Sequence, residues 1–197
     1  MSPTIVKYGF LPIKRTVFFL CDFQEKFRQM VHFNEIVESA KKLISTAKLM
    51  DIPLIVTEQY PKGLGNTISE LDIAHAKGVF PKTKFSMVVP EVSNQLDSLC
   101  GGNVQCVVLF GIEAHVCVEQ TAAELCASGL QVHVVADACT SRTQEDRLLA
   151  FKRLQQIGCF VATSENIIFK LLGDKENPHF KEVSALIRQP ITATGLV

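Results

Sequence analysis

The residue with the clearest route to covalent chemistry in this sequence is Cys117. It falls in the first turn of a helix read from about His115 to Ala127, where unpaired N–H groups and the macrodipole favour an anion. A thiolate in such a place has a depressed pKa and is the nucleophilic form of the side chain. The competing reading is a buried cysteine packed as a small hydrophobe. Asp22 is a candidate base, because it directly follows the apolar run TVFFLC. It also fits, with Glu25, a D-x-x-E capping pattern for a helix starting at Phe23. Lys82, in Pro81-Lys82-Thr83-Lys84, is a candidate cation. Residue type alone does not separate it from Lys84 or from an ordinary solvated lysine.

Other chemistries find no support. Gly63-Leu64-Gly65 lacks the rest of a dinucleotide or phosphate loop and follows the wrong strand. His32, His75, His115, His133 and His179 have no metal-ligand spacing, so no metal is expected. No GxSxG elbow anchors a serine triad. No cofactor motif is present. The seven cysteines are odd in number and form no CxxC pair, which points to thiols in a reducing compartment.

Twenty Lys plus Arg balance twenty Asp plus Glu. A neutral chain without a run of like charge has no electrostatic footprint for nucleic acid or an anionic membrane, and the partner expected is a small-molecule substrate. No apolar run approaches the ~20 residues of a membrane span. The start, Met1 to Thr16, has no apolar signal core. No acidic residue precedes Asp22, so a mitochondrial transit segment stands as the alternative to a cytoplasmic protein. The 47% hydrophobic content suits one domain, residues 1–197, with apolar surface left for a homo-oligomer, a dimer or larger.

The elements that must position these residues alternate in a βα pattern. Thr16 to Cys21 is apolar on both faces, as in a parallel sheet. A helix follows around Glu35 to Met50, with Ile36, Ala40, Leu43, Ala47 and Met50 on one stripe. Ile52 to Thr57 reads as the second strand and Glu58 to Asn66 as a loop. Gly78 to Ser86 holds a short third strand, and Glu91 to Leu99 a helix. Val104 to Gly111 is the fourth strand and Leu130 to Ala136 the fifth. Thr143 to Ile157 is a helix and Cys159 to Thr163 the sixth strand, with helical segments to about Arg188. Gln189 to Val197 has no periodicity and is expected to fray. Open α/β sheets bind ligands beyond the carboxyl ends of their strands, at the switch point. Asp22 and Cys117 meet there if the first and fourth strands are neighbours.

Three segments occur in order over about residues 14 to 188. They are Asp22-Phe23-Gln24 with Phe27, Lys82 with Ser86, and Gly111-Ile112-Glu113-Ala114-His115-Val116-Cys117-Val118 followed by Thr121-Ala122. They resemble the D-x-Q…F, K-x3-S and G-x5-C-V-x2-T-A elements of isochorismatase-like hydrolases. The stretch TEQYPKGLG, Thr57 to Gly65, resembles more narrowly the isochorismatase domain-containing proteins. The resemblance selects Lys82 over Lys84. It implies a three-layer α/β/α, Rossmann-like fold with a six-stranded parallel sheet in the order 3-2-1-4-5-6. It implies Cys117 as nucleophile, Asp22 as base then acid, and Lys82 as the charge that holds both. It also implies a cis peptide at Ile112–Glu113, an oxyanion hole from the backbone of Glu113 and Cys117, and a pocket drawn from Gln24, Phe27, Tyr60, Ser86 and Glu113.

The chain departs from parts of that pattern. Nicotinamidases of the family carry a D-x-H metal site after the second strand, where this chain has Glu58-Gln59-Tyr60. The usual aromatic after K-x3-S is Met87-Val88 here. True isochorismatases cleave a vinyl ether without needing the cysteine, so a retained Cys117 favours hydrolysis of a small amide or carbamoyl C–N bond. Vinyl-ether hydrolysis and a non-enzymatic partner-binding role on the same fold are the alternatives.

Overall fold

A computed structural model of the chain describes residues 8–190 and 192–196; residues 1–7 of the opening stretch read above for targeting lie outside them. Six strands form one parallel sheet in the order β3-β2-β1-β4-β5-β6. They are β1 (Thr16–Cys21), β2 (Leu54–Gln59), β3 (Gly78–Lys82), β4 (Cys106–Ile112), β5 (Gln131–Thr140) and β6 (Phe160–Ala162). Every residue of β1, β4 and β5 is buried. This is why β1 and β4 show no polar face in sequence: both sides of the sheet are covered.

The helices are α1 (Phe33–Leu49), α2 (Pro61–Leu64), α3 (Pro90–Ser98), α4 (Glu119–Ala127), α5 (Gln144–Ile157), α6 (Ser164–Leu172) and α7 (Phe180–Ile187). α1 packs with α6 and α7, and α4 packs with α5. Right-handed crossovers on either side of the switch point put these groups on opposite faces. On α1 the expected stripe of Ile36, Ala40, Leu43 and Ala47 is fully buried. Thr143 and Thr163 cap α5 and α6 by accepting the N–H groups of Asp146 and Asn166. Among the described residues no helix is long and apolar enough to cross a membrane.

Five local expectations are corrected. The helix expected from Phe23 is absent; only a 3₁₀ turn, Glu25–Phe27, follows Asp22. The helix expected from His115 begins as a π-turn, Ala114–Val118, before α4. The loop after β2 contains α2. The fifth strand runs on to Thr140, since its polar members find internal partners: Asp137 accepts from the N–H and hydroxyl of Ser164. The C-terminal segment, expected to fray, is tied in over its described part. The fully buried Arg147 donates to the Thr194 carbonyl at 2.7 Å and to the carbonyls of Cys139 and Ala136. Lys42 donates to the Gln189 carbonyl at 2.7 Å.

Candidate active site

The register sets the carboxyl ends of four strands level. Cys21 is paired with Thr57 of β2 and Gly111 of β4, and Gln59 is paired with Lys82 of β3. The approach of β4 to β1 is close. A Cβ on Gly111, whose φ is +138°, would lie 2.0 Å from the Cys21 carbonyl oxygen, so only glycine fits there. The chain leaves β1 at Asp22 and β4 at Glu113, side by side at the point where the strand order reverses.

Asp22 takes the left-handed conformation, φ 51°, which Asp tolerates better than most residues. Its N–H donates to the Thr57 carbonyl at 3.2 Å. Its Oδ1 accepts the Thr57 hydroxyl at 2.7 Å and its Oδ2 accepts Lys82 Nζ at 2.7 Å. Both side chains of that ion pair have no exposure to solvent. The capping role is therefore not taken: the carboxylate is turned onto β2 and β3, and Glu25 pairs with Arg28.

Lys82 Nζ also donates to Gln59 Oε1 at 2.6 Å and to the Phe85 carbonyl at 2.8 Å, with the Lys84 carbonyl at 3.2 Å. Three protons thus meet a full set of acceptors. Burial lowers the Lys82 pKa, but its electrostatic coupling to Cys21, Asp22 and Cys117 outweighs that and raises the net value, so the ammonium stays charged. Lys84 is exposed and pairs with Glu124. The Cys21 thiol is pushed well above its usual range by burial, then by the hydrogen bond with Cys117 and the charge of Asp22. It remains a neutral neighbour of the site.

Cys117 lies in the π-turn, 5% exposed. The Glu113 carbonyl accepts the N–H groups of Val116 and Val118, both at 3.1 Å. The Ile112–Glu113 peptide bond is cis. The Thr121 hydroxyl donates to the Cys117 carbonyl at 2.6 Å and accepts the Met87 N–H at 2.8 Å. The turn holding Cys117 is thereby joined to the loop that follows Lys82.

The expected pocket residues divide. Gln24 is fully buried, and its amide braces the Gln59 backbone at N and O and the Gly65 carbonyl. Ser86 is fully buried and accepts the Val88 N–H. Tyr60, half exposed, lines a cavity of about 490 Å³ with Pro61, Pro81 and Lys82. Phe27 and Glu113 line a cavity of about 400 Å³ with Lys26, Gln29, Met30 and Arg142. Sequence reasoning misses Thr57 and Gln59, which orient Asp22 and Lys82. Their signal was polar side chains ending a buried strand. Where relatives carry a metal, Glu58 is engaged by the N–H and hydroxyl of Thr67. Among the described residues no group of three or more His, Cys, Asp or Glu is placed to hold a metal ion.

A family model described as the isochorismatase domain matches residues 16–166. The chain belongs to the isochorismatase domain family. Isochorismatase domain-containing protein 1 of Salmo salar is 50% identical over 183 residues, 92% of this chain; the chain spans 64% of that relative's length. Isochorismatase domain-containing protein 2 of Bos taurus is 48% identical over 92% of this chain and 87% of its own length. Among solved structures, the MAR1 ribonuclease of Caenorhabditis elegans is 45% identical with a TM-score of 0.90, over 96% of this chain and 97% of that one. The six-stranded order expected from the resemblance is the one observed for this family member.

Proposed function

We propose that this isochorismatase-family hydrolase cleaves the C–N bond of a small amide or carbamoyl compound through a thioester on Cys117. The observation that carries the reading is the solvent-free Asp22–Lys82 pair, 2.7 Å apart, at the switch point beside Cys117. A buried ion pair is a poor source of stability in itself, and perturbed groups clustered at a strand-end crevice favour a catalytic role.

In the proposed reaction the Cys117 proton passes to Asp22 as sulfur forms a bond to the substrate carbonyl carbon. The backbone N–H groups of Glu113 and Cys117 hold the oxyanion; one such donor is typically worth ~3 kcal/mol. Asp22 returns the proton to the leaving nitrogen as the C–N bond breaks, and ammonia or an amine departs. Asp22 then takes a proton from water as the hydroxide adds to the thioester carbonyl, the C–S bond breaks, and Asp22 passes that proton to the departing Cys117 sulfur as the acid leaves. Lys82 keeps its proton throughout and steadies the negative charge as it moves between Asp22 and Cys117. A panel of small amides and ureides with ammonia readout tests this. Turnover that Cys117→Ala abolishes, with folding intact, supports it; turnover indifferent to that change refutes it and favours vinyl-ether chemistry.

A second reading follows from the ribonuclease name of the Caenorhabditis elegans relative. The balanced charge of this chain offers little of the phosphate contact that RNA binding rests on. Cys117-dependent cleavage of a single-stranded RNA would establish that reading over the amidase.

A further inference from the structure

We infer that the cavity beside Glu113 anchors the far end of the substrate, and that the substrate is an amide or ureide carrying a carboxylate. The inference rests on the amidase reading and names its substrate class. The cavity, about 400 Å³, is formed by Lys26, Phe27, Gln29, Met30, Glu113 and Arg142. Lys26 to Met30 follow β1, Glu113 follows β4 and Arg142 follows β5. The cavity therefore opens at the sheet's switch point, where this class of fold receives ligands, and its volume suits a small molecule.

Its charges are unbalanced. Lys26 and Arg142 contribute two cations and Glu113 one carboxylate. Among the described residues neither cation has a carboxylate within 4 Å, whereas nearby Arg28 is held by both Glu25 and Glu70. Glu113 Oε2 is buried and accepts no hydrogen bond. A buried acceptor left without a donor is costly, and an N–H of a bound ligand would satisfy it. One ligand answers both features: a carboxylate for the guanidinium, which can grip it with two parallel bonds, and an amide or ureide N–H for Glu113. The backbone of Glu113 is the proposed oxyanion donor, so a ligand held by this side chain has its carbonyl brought toward Cys117. The two walls are tied together. The Val31 N–H donates to the Ser141 carbonyl at 3.2 Å, and the Thr140 hydroxyl donates to the Val31 carbonyl. Arg142 thus keeps its place relative to Met30.

The test compares succinamate with its neutral counterpart, succinamide, by equilibrium binding to the Cys117→Ala protein, where no turnover occurs. The expected result is a Kd at least tenfold lower for succinamate. Arg142→Gln should bring the two within about twofold, Lys26→Gln should narrow the gap less, and Glu113→Ala should weaken both amides alike. Melting curves check that these variants stay folded. Equal binding of the two amides, or a preference that survives Arg142→Gln, overturns the inference. Preferential binding without ammonia release by the unsubstituted enzyme from any carboxylate-bearing amide fails the amidase reading while leaving the subsite standing. Cys117-dependent turnover of neutral amides with no carboxylate preference does the reverse.

Discussion

Replacing Lys82 with Met removes the ammonium and keeps a side chain of similar reach. The change strands the Asp22 carboxylate, which loses a partner at 2.7 Å, and leaves Gln59 Oε1 and the Phe85 carbonyl without their donor. Both members of the ion pair are wholly shielded from solvent, so water cannot step in. Breaking such a pair from one side costs about 3–5 kcal/mol. For a chain of this size each kcal/mol moves Tm by about 2–4 °C, which puts the loss at roughly 10 °C. Asp22→Asn is milder, about 2 kcal/mol, because Lys82 keeps Gln59 and two backbone carbonyls. The double variant should melt above Lys82→Met alone, since the stranded charge is gone. Thermal and urea unfolding of the three proteins provide the assay. A Lys82→Met protein melting within about 2 °C of the parent, or a double variant less stable than Lys82→Met, refutes the reasoning.

Burial, then the charge of Lys170, lowers the His133 pKa to about 4. The unfolded chain therefore binds a proton at this site between about pH 6.5 and 4 that the folded chain does not. Stability should fall by about 3 kcal/mol as pH drops through that window, and His133→Gln should remove that share of the slope in urea titrations. Hydrolytic activity should survive exhaustive chelation and nicotinamide should be a poor substrate, because Glu58 and Gln59 are engaged by protein groups; chelator-sensitive nicotinamide turnover would contradict this. Phe10 and Phe169 are exposed and line one cavity, so light scattering should report a dimer or larger, and a monomer at working concentration would contradict that.

The sheet was legible because a strand buried on both faces has no polar side to confuse its pattern, as Thr16 to Cys21 and Cys106 to Ile112 show. What failed was local chemistry with a distant partner. Asp22 and Glu25 have the spacing of a cap, yet the partners of Asp22 lie 35 and 60 residues away, at Thr57 and Lys82. Spacing alone cannot tell a carboxylate that closes a helix from one that crosses to another strand. The same holds at the C-terminus. Thr194 lacks any periodic context and is fixed by Arg147, 47 residues earlier. Asp137 reads as the end of a strand until Ser164 is seen to satisfy it. Lys82 was separable from Lys84 only by resemblance. In the structure, β3's pairing of Lys82 with Gln59 makes the choice physical.

The central claim is that Asp22 and Lys82 make Cys117 a nucleophile, and mapped alkylation tests it most directly. Cys126 is the built-in control. It is half-buried, lies 3.8 Å from Cys159, and has its pKa drawn down to about 7 by that contact against the opposing effect of burial. With limiting iodoacetamide, Cys117 should label faster than the other six cysteines. Lys82→Met should slow Cys117 at least tenfold while leaving the Cys126 rate unchanged, because the cation that favours a thiolate is gone. Cys126 labelling ahead of Cys117 in the folded protein, or a Cys117 rate indifferent to Lys82→Met, would contradict the account.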